Sequence, residues 1–143
     1  DYLEYQKDTL SKYGGKISDC WFNLFSPQLQ TYLYFSYVKI KNRKHFDSLV
    51  EDAFELVDKH NVKASYRDEH KVNSSFEGVH GLFFEISGPV ATPLQFYLTD
   101  STQHFLRGSL YFDAAVNRDS IAPVYEYLKT DLAKMFGGFN WTD

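Results

Sequence analysis

The sequence is poor in cysteine and has no long apolar run. Its one cysteine, Cys20, excludes a disulfide within the 143 residues. A single thiol leaves the compartment open, because extracytoplasmic domains also occur with one cysteine. No apolar stretch approaches the roughly 20 residues that a membrane-spanning helix needs. The chain opens at Asp1 without Met or a hydrophobic signal segment, so we expect a processed product or part of a longer protein.

The motifs of several common functional sites are also missing. The sequence has no Cys–X–X–Cys, and its five histidines include no pair at metal-ligand spacing on one helix face. It has no glycine-rich phosphate loop either. We therefore predict no metal and no other cofactor. A net charge of −4 argues against a nucleic-acid partner, because such domains usually carry a basic stripe.

Aromatic residues are abundant instead. They make up 18% of the chain, with 13 Phe and 11 Tyr, which suits a sheet buried on both faces. The length fits one domain with a substantial core. We predict an irregular segment over residues 1–18 and a single domain over residues 19–143.

Two alternating apolar runs flank a polar turn and predict a β-hairpin. The first is Leu94 to Thr99 and the second is His104 to Asp113. With a turn from Thr99 to Gln103, Phe96 faces Leu106 on one side of the sheet. The remaining predicted pairs are Leu98 with His104, Leu94 with Gly108, Tyr97 with Phe105, and Gln95 with Arg107.

The run before this hairpin, Val79 to Ser87, alternates as well. We place Leu82, Phe84 and Ile86 with Phe96, Leu106 and Leu110 on the face opposite Arg107. Glu85 then lies opposite Gln95 and completes a row of Glu85, Gln95 and Arg107. A face with aromatic and charged residues requires a cover, which is either a helix of the chain or a partner.

The other segments predict two more strands and two helices. Cys20 to Phe25 and Gln30 to Ile40 are strands. An amphipathic helix with an acidic start covers residues 46–60 and stops at Asn61, and a strand follows over residues 63–72. A second helix runs from Ser120 to Phe136, with Ser120 as cap, Pro123 in the first turn and Gly137-Gly138 as its end. The predicted fold is α+β, a twisted antiparallel sheet of about six strands flanked by two main helices.

One set of residues could carry catalysis. Asp100, Ser101 and His104 are the residue types of an acyl-transfer triad, but within one turn their side chains diverge. We expect Asp100 and Ser101 to cap their own backbone, and His80 to lie opposite Asp100 with an orienting hydrogen bond. Cys20 is expected to be a buried thiol rather than a nucleophile. A hydrolase that uses Asp100, Ser101 and His104 stays as the enzymatic alternative.

Several segments together resemble a known family, the gliding-motility-associated lipoprotein GldD of Bacteroidota. The resemblance extends from about Cys20 to Trp141. It implies an extracytoplasmic, lipid-anchored envelope protein that gliding and the linked type IX secretion machinery require, with no catalytic residues to transfer. The segments that carry it are Cys20-Trp21-Phe22-Asn23, Leu49 to Asp52, Lys59 to Ala64, Thr92 to Phe112 and Asp119 to Val124.

From these observations we expect a non-enzymatic accessory or assembly factor held in the periplasm by a lipid anchor, with other envelope proteins as partners. The alternative is a binding module that holds a small apolar or envelope ligand on the aromatic sheet face. We expect an architecture close to the Mog1/PsbP-like arrangement. The predicted partner-binding residues are Gln95, Tyr97, Asp100, Ser101, Phe105, Arg107 and Tyr111.

Overall fold

The computed structural model describes residues 20–60, 66–87, 93–112 and 118–142. Within these ranges six strands and two helices form an α+β fold, which confirms the predicted class. The irregular segment 1–18, its boundary with the domain and the predicted stop at Asn61 lie outside the described residues. The elements are β1 (Cys20–Ser26), β2 (Thr31–Lys39), α1 (Arg43–His60), β3 (Tyr66–Lys71), β4 (His80–Ser87), β5 (Leu94–Thr99), β6 (His104–Phe112) and α2 (Arg118–Gly138).

The six strands form one antiparallel sheet in the order β1-β2-β6-β5-β4-β3. Neighbours in the sheet are mostly neighbours in sequence, but β6, the last strand, lies between β2 and β5. Helix α1 connects β2 to β3 at the far edge. The likeness to a Mog1/PsbP arrangement stays a prediction.

Each face of the sheet packs against one helix. On the face that we call the α2 face, Phe96 and Leu110 form a core cluster with Leu132 and Phe136. The opposite face, the α1 face, forms a second cluster with α1. Its buried members are Ile40, Ala53, Val57, Phe84, Ile86, Tyr97 and Phe105. Burial on both sides explains why aromatic residues occur at successive positions of the strands.

Both helices begin earlier than the sequence predicts. Helix α1 begins at Arg43 and its first turn has no acidic residue, so the predicted acidic start is wrong. Asn42 caps it instead, because its Oδ1 accepts a hydrogen bond from the His45 N–H at 2.8 Å. Helix α2 begins at Arg118, so Ser120 is inside the helix and Pro123 lies beyond the first turn. Its predicted end at Gly137-Gly138 is confirmed.

The β5–β6 hairpin is confirmed, with a register that differs from the predicted one by two residues. Phe96 lies opposite Gly108 rather than Leu106. Gln95 lies opposite Ser109, and Tyr97 takes the place opposite Arg107. A shift of two leaves every side chain on its predicted face. Phe96, Leu106 and Leu110 therefore do lie opposite Arg107.

The faces predicted for β4 are wrong. Phe84 lies opposite Gln95, and Glu85 lies opposite Leu94. Leu82, Phe84 and Ile86 therefore share the α1 face with Arg107, while Glu85 lies on the α2 face. The predicted row of Glu85, Gln95 and Arg107 does not form, because a shift of one residue moves each side chain of a strand to the other face.

Candidate functional site

Asp100 organises the turn between β5 and β6. Its Oδ1 accepts hydrogen bonds from the backbone N–H groups of Thr102, Gln103 and His104 at 3.0, 2.8 and 2.9 Å. Partial burial alone would raise the pKa of Asp100, but these three donors outweigh it and hold the pKa below its usual value. The predicted capping role of Asp100 is confirmed.

We expect Asp100→Asn to lower the free energy of unfolding by about 1 kcal/mol at pH 7, since a neutral amide oxygen is the weaker acceptor. The native pKa lies below the unfolded value of about 3.9, so the stabilisation is complete above that pH and disappears as the pH falls through the native pKa. Urea unfolding at pH 7 and at pH 3 measures this difference. Glu51→Gln, at an exposed position of α1, is the control. The assignment would be contradicted if the difference in free energy of unfolding between the wild type and Asp100→Asn stayed constant or grew at acid pH.

Ser101 contacts β4 instead of capping its own backbone, so that part of the prediction is wrong. Its φ is 70°, in the left-handed region. Its Oγ lies 2.5 Å from His80 Nε2. The register places His80 opposite Thr99 rather than Asp100. His80 thus has an orienting hydrogen bond, with Ser101 as the partner.

His104 is directed away from these two residues. Its Nδ1 lies 2.6 Å from the Tyr37 hydroxyl. Its ring stacks on Trp141 at a centroid distance of 4.8 Å. The three side chains bond to different groups: Asp100 to backbone N–H groups, Ser101 to His80 and His104 to Tyr37. The structure does not bring them together as a triad.

Three of the predicted partner-binding residues lie under α1. Gln95, Tyr97 and Phe105 are buried. Tyr97 and Phe105 stack on each other at 5.2 Å between ring centroids. These side chains are inaccessible to a partner while α1 is packed. The cover that the sequence predicts for this face is therefore a helix of the chain itself, around these three residues.

Arg107 is mostly shielded on the same face. Burial lowers the pKa of its guanidinium, and the carboxylate of Asp52 on α1 opposes that shift. Asp52 is thus close enough to interact electrostatically with Arg107. The predicted placement of Glu85 in one row with Arg107 is wrong, because the two residues lie on opposite faces.

Glu85 connects three elements on the α2 face. Its carboxylate accepts a hydrogen bond from the Tyr125 hydroxyl at 2.9 Å and pairs with Lys129 Nζ at 2.9 Å. His70 Nε2 on β3 lies 3.3 Å from the same carboxylate. Burial, and then the Glu85 charge, raise the pKa of the Tyr125 hydroxyl well above its usual value. This cluster fastens α2 to the β3–β4 side of the sheet.

An apolar groove opens on the α2 face near the opposite edge of the sheet, between the β1–β2 hairpin and α2. Leu24, Leu33 and Leu110 lie side by side on three neighbouring strands. The groove has a volume of about 280 Å³. We call it the hairpin groove, and its lining is Leu24, Phe25, Ser26, Thr31, Leu33, Leu110, Leu128, Asp131, Leu132 and Met135.

The groove combines a buried floor with an exposed outer wall. Leu110 and Leu132 are buried in the core. Leu24 on β1, which forms the outer wall, is 59% exposed. The neighbouring Phe25 is 51% exposed, but its side chain lies on the opposite face. Large apolar side chains grouped at a surface mark an interaction site more often than chance exposure does. The hairpin groove is therefore the candidate functional site.

Aromatic rings cover the opposite face of the same strands, from β1 to β6. Phe25 stacks on Tyr32 at 4.4 Å between centroids, and Tyr32 stacks on Tyr34 at 5.8 Å. Tyr111 meets Tyr34 edge-on at 6.0 Å. Tyr111 is the one predicted partner-binding residue that adjoins the exposed hairpin, and its role in binding stays a prediction.

Sequence reasoning did not find this site. It treated Cys20 at the start of β1 as a buried thiol, whereas Cys20 is exposed and free. One signal was present: the strand Cys20–Ser26 has no charged residue. That signal becomes informative only when β1 is known to be an edge strand.

The comparisons with known proteins agree with the resemblance. A family model described as the gliding motility lipoprotein GldD matches residues 2–141. No curated protein matched. Among the residues that the structure describes, no helix is both long and apolar enough to cross a membrane. A match over nearly the entire chain shows that it belongs to the GldD family of gliding motility lipoproteins.

Proposed function

We propose that this chain is a non-enzymatic, lipid-anchored accessory or assembly factor for gliding motility and the linked type IX secretion machinery. In this proposal the domain acts in the periplasm and docks an apolar segment of another envelope protein in the hairpin groove. Membership in the family gives the chain its role in gliding motility and its place in the cell envelope. The docking role is our addition.

The observation that carries the proposal is the exposed wall of the groove. Complete burial of a leucine or phenylalanine side chain stabilises a contact by about 1.5–3 kcal/mol. Leu24 is 59% exposed and stands beside a buried floor. A partner that covers this side chain together with the floor would gain an apolar contact at the centre of its interface.

An open groove favours a protein segment over a small apolar ligand. Pockets for small molecules bury about 70–90% of the ligand surface, which requires walls on most sides. Here the outer wall is one edge strand with half-exposed side chains. The aromatic face first considered for a small ligand is covered by α1 around Tyr97 and Phe105.

The test is complementation of a strain that lacks its own copy of the protein. We expect Leu24→Asp to abolish gliding and to reduce secretion strongly. A docked partner would bury the new carboxylate without a pairing group, which costs more free energy than the loss of the apolar contact alone. Tyr127→Asp is the matched control, because Tyr127 is 62% exposed on α2 and is not part of the groove lining. It should rescue fully.

Immunoblots and thermal melts accompany both variants. The proposal requires Leu24→Asp to be as abundant and nearly as stable as the wild type, because its side chain is exposed. Full rescue by a stable Leu24→Asp protein would exclude the groove as a docking site. Binding of a fluorescent fatty acid that Leu24→Asp removes, with gliding intact, would support the small-ligand alternative instead.

A further inference from the structure

The two edges of the sheet differ in charge. The β3 edge contains Arg67, Asp68, Glu69, His70 and Lys71 within six residues. The β1 edge, Cys20–Ser26, contains no charged residue. Charged side chains protect an edge strand from pairing with another chain, so β3 is protected and β1 is not.

The outer edge of β1 pairs with no other strand among the residues that the structure describes. Its side chains are exposed as well as its backbone, with Trp21 and Phe22 at 42% and 45%. An extended strand added here would find free backbone donors and acceptors together with apolar side chains. The edge therefore fits a second strand of similar character.

The sequence of β1 is complementary to itself. Antiparallel pairing about a twofold axis at its central residue, Asn23, places Trp21 opposite Phe25 and Phe22 opposite Leu24. Apolar and aromatic cross-strand pairs of this kind stabilise a sheet. The edge carries no charge, so no like charges meet across the axis. Each copy uses the same patch, as a twofold interface requires.

Asn23 provides a second, independent observation. Its Nδ2 is buried and has no hydrogen-bond partner among the described residues. Such a group is rare in native structures, because leaving it unpaired is costly. On the twofold axis the two Asn23 amides meet, and each Nδ2 can turn to donate to the Oδ1 of the other. A second copy would therefore satisfy this group.

We infer that β1 pairs antiparallel with β1 of a second copy about a twofold axis through Asn23, so that two six-stranded sheets become one. This contact uses the backbone edge and goes beyond the groove docking proposed above. The two ideas can fail separately, because Asn23 defines the axis and is not part of the groove lining, whereas Leu24 lines the groove as well as facing Phe22 across the axis.

The first test is disulfide formation in the purified chain. Opposite Cα atoms in an antiparallel pair are about 4.5–5.5 Å apart, within the range that a disulfide spans. Asn23→Cys in a Cys20→Ser background should form a dimer of twice the 16.7 kDa mass under mild oxidation. Glu69→Cys in the same background is the control at the β3 edge, and it should crosslink at least tenfold more slowly.

The second test uses the mass of the protein in solution. Sedimentation of the wild type should show a dimer that dissociates on dilution. Asn23→Asp keeps the shape of the side chain but places two carboxylates on the axis, so it should be monomeric at pH 7, with a thermal melt that does not depend on protein concentration. If Asn23→Cys does not fold, Ser26→Cys with the native Cys20 replaces it, because positions 20 and 26 meet across the axis.

Equal crosslinking at the two edges, or a wild type that stays monomeric at every concentration, overturns the inference. A monomeric chain that still needs Leu24 for gliding would reject the dimer and retain the docking proposal. A dimeric wild type, together with full activity of the Leu24→Asp variant, would retain the dimer and reject the docking proposal.

Discussion

Replacement of Phe96 by alanine is expected to lower the free energy of unfolding by about 3–5 kcal/mol. The ring is 1% exposed and makes edge contacts with Phe136 at 4.8 Å and with Phe35 at 6.1 Å. It also fills the space above Gly108, where a Cβ atom would lie 2.2 Å from the ring. Removing the ring would leave a cavity where β2, β5, β6 and α2 meet.

Urea denaturation measures the loss as a lower midpoint with an unchanged slope. Lys41→Ala is the control, because this side chain is exposed and its removal should cost at most about 0.5 kcal/mol. Similar midpoints for the two variants would mean that the cluster around Phe96 is not the core of the domain.

Gly81→Ala should be the most destabilising of the small substitutions in this chain. A Cβ atom at position 81 would lie 1.8 Å from the carbonyl oxygen of Tyr97 and 3.2 Å from the Cα of Leu98. These are backbone atoms of the paired strand β5, which cannot rotate away as a side chain can. We expect a loss of at least about 3 kcal/mol, the upper end of the range for overpacking.

Gly78→Ala is the matched control for this substitution. Gly78 lies just before β4, and a Cβ atom there meets nothing within 4 Å. Gly78→Ala should change the free energy of unfolding by no more than about 1 kcal/mol. Part of this change comes from the lower conformational entropy of the unfolded chain. Thermal melts of the two variants decide the matter: equal stability would show that β4 and β5 can separate at Gly81 without cost.

The sequence predicts the elements well because their signals are local. Leu94–Thr99 alternates and ends in a turn that Asp100 caps, so this strand has the predicted bounds. The pattern alone does not determine the register. Phe96 has two apolar positions within reach on β6, and the choice of Gly108 depends on the volume of its ring.

The faces of β4 could not be predicted from its own residues. Leu82, Phe83 and Phe84 are consecutive and apolar, so either face of this strand can pack against a helix. Glu85 seemed to belong with Arg107 because the charges match. Its actual partners, Tyr125 and Lys129, come from a helix forty residues or more away in sequence, and no periodic pattern shows such a contact.

The candidate site was hidden for a related reason. Leu24 and Phe25 have the composition of a buried strand, and only the sheet order reveals that β1 is at an edge. That order depends on pairing between β2 and β6, which are separated by more than sixty residues at their nearest ends. Long-range pairing of this kind leaves no local mark on either strand.

The position of β6 has a kinetic consequence. Until this strand is in place, β1 with β2 and β3 with β4 and β5 are two separate half-sheets. The chain must therefore close a long loop before the apolar surfaces of the halves can meet, and contacts of high sequence separation make folding slow. A chain that ends just before His104 contains most of the sheet's residues but lacks the strand that joins its halves. The native state thus becomes accessible late in synthesis, and the exposed half-sheets before that point are vulnerable to aggregation and proteolysis.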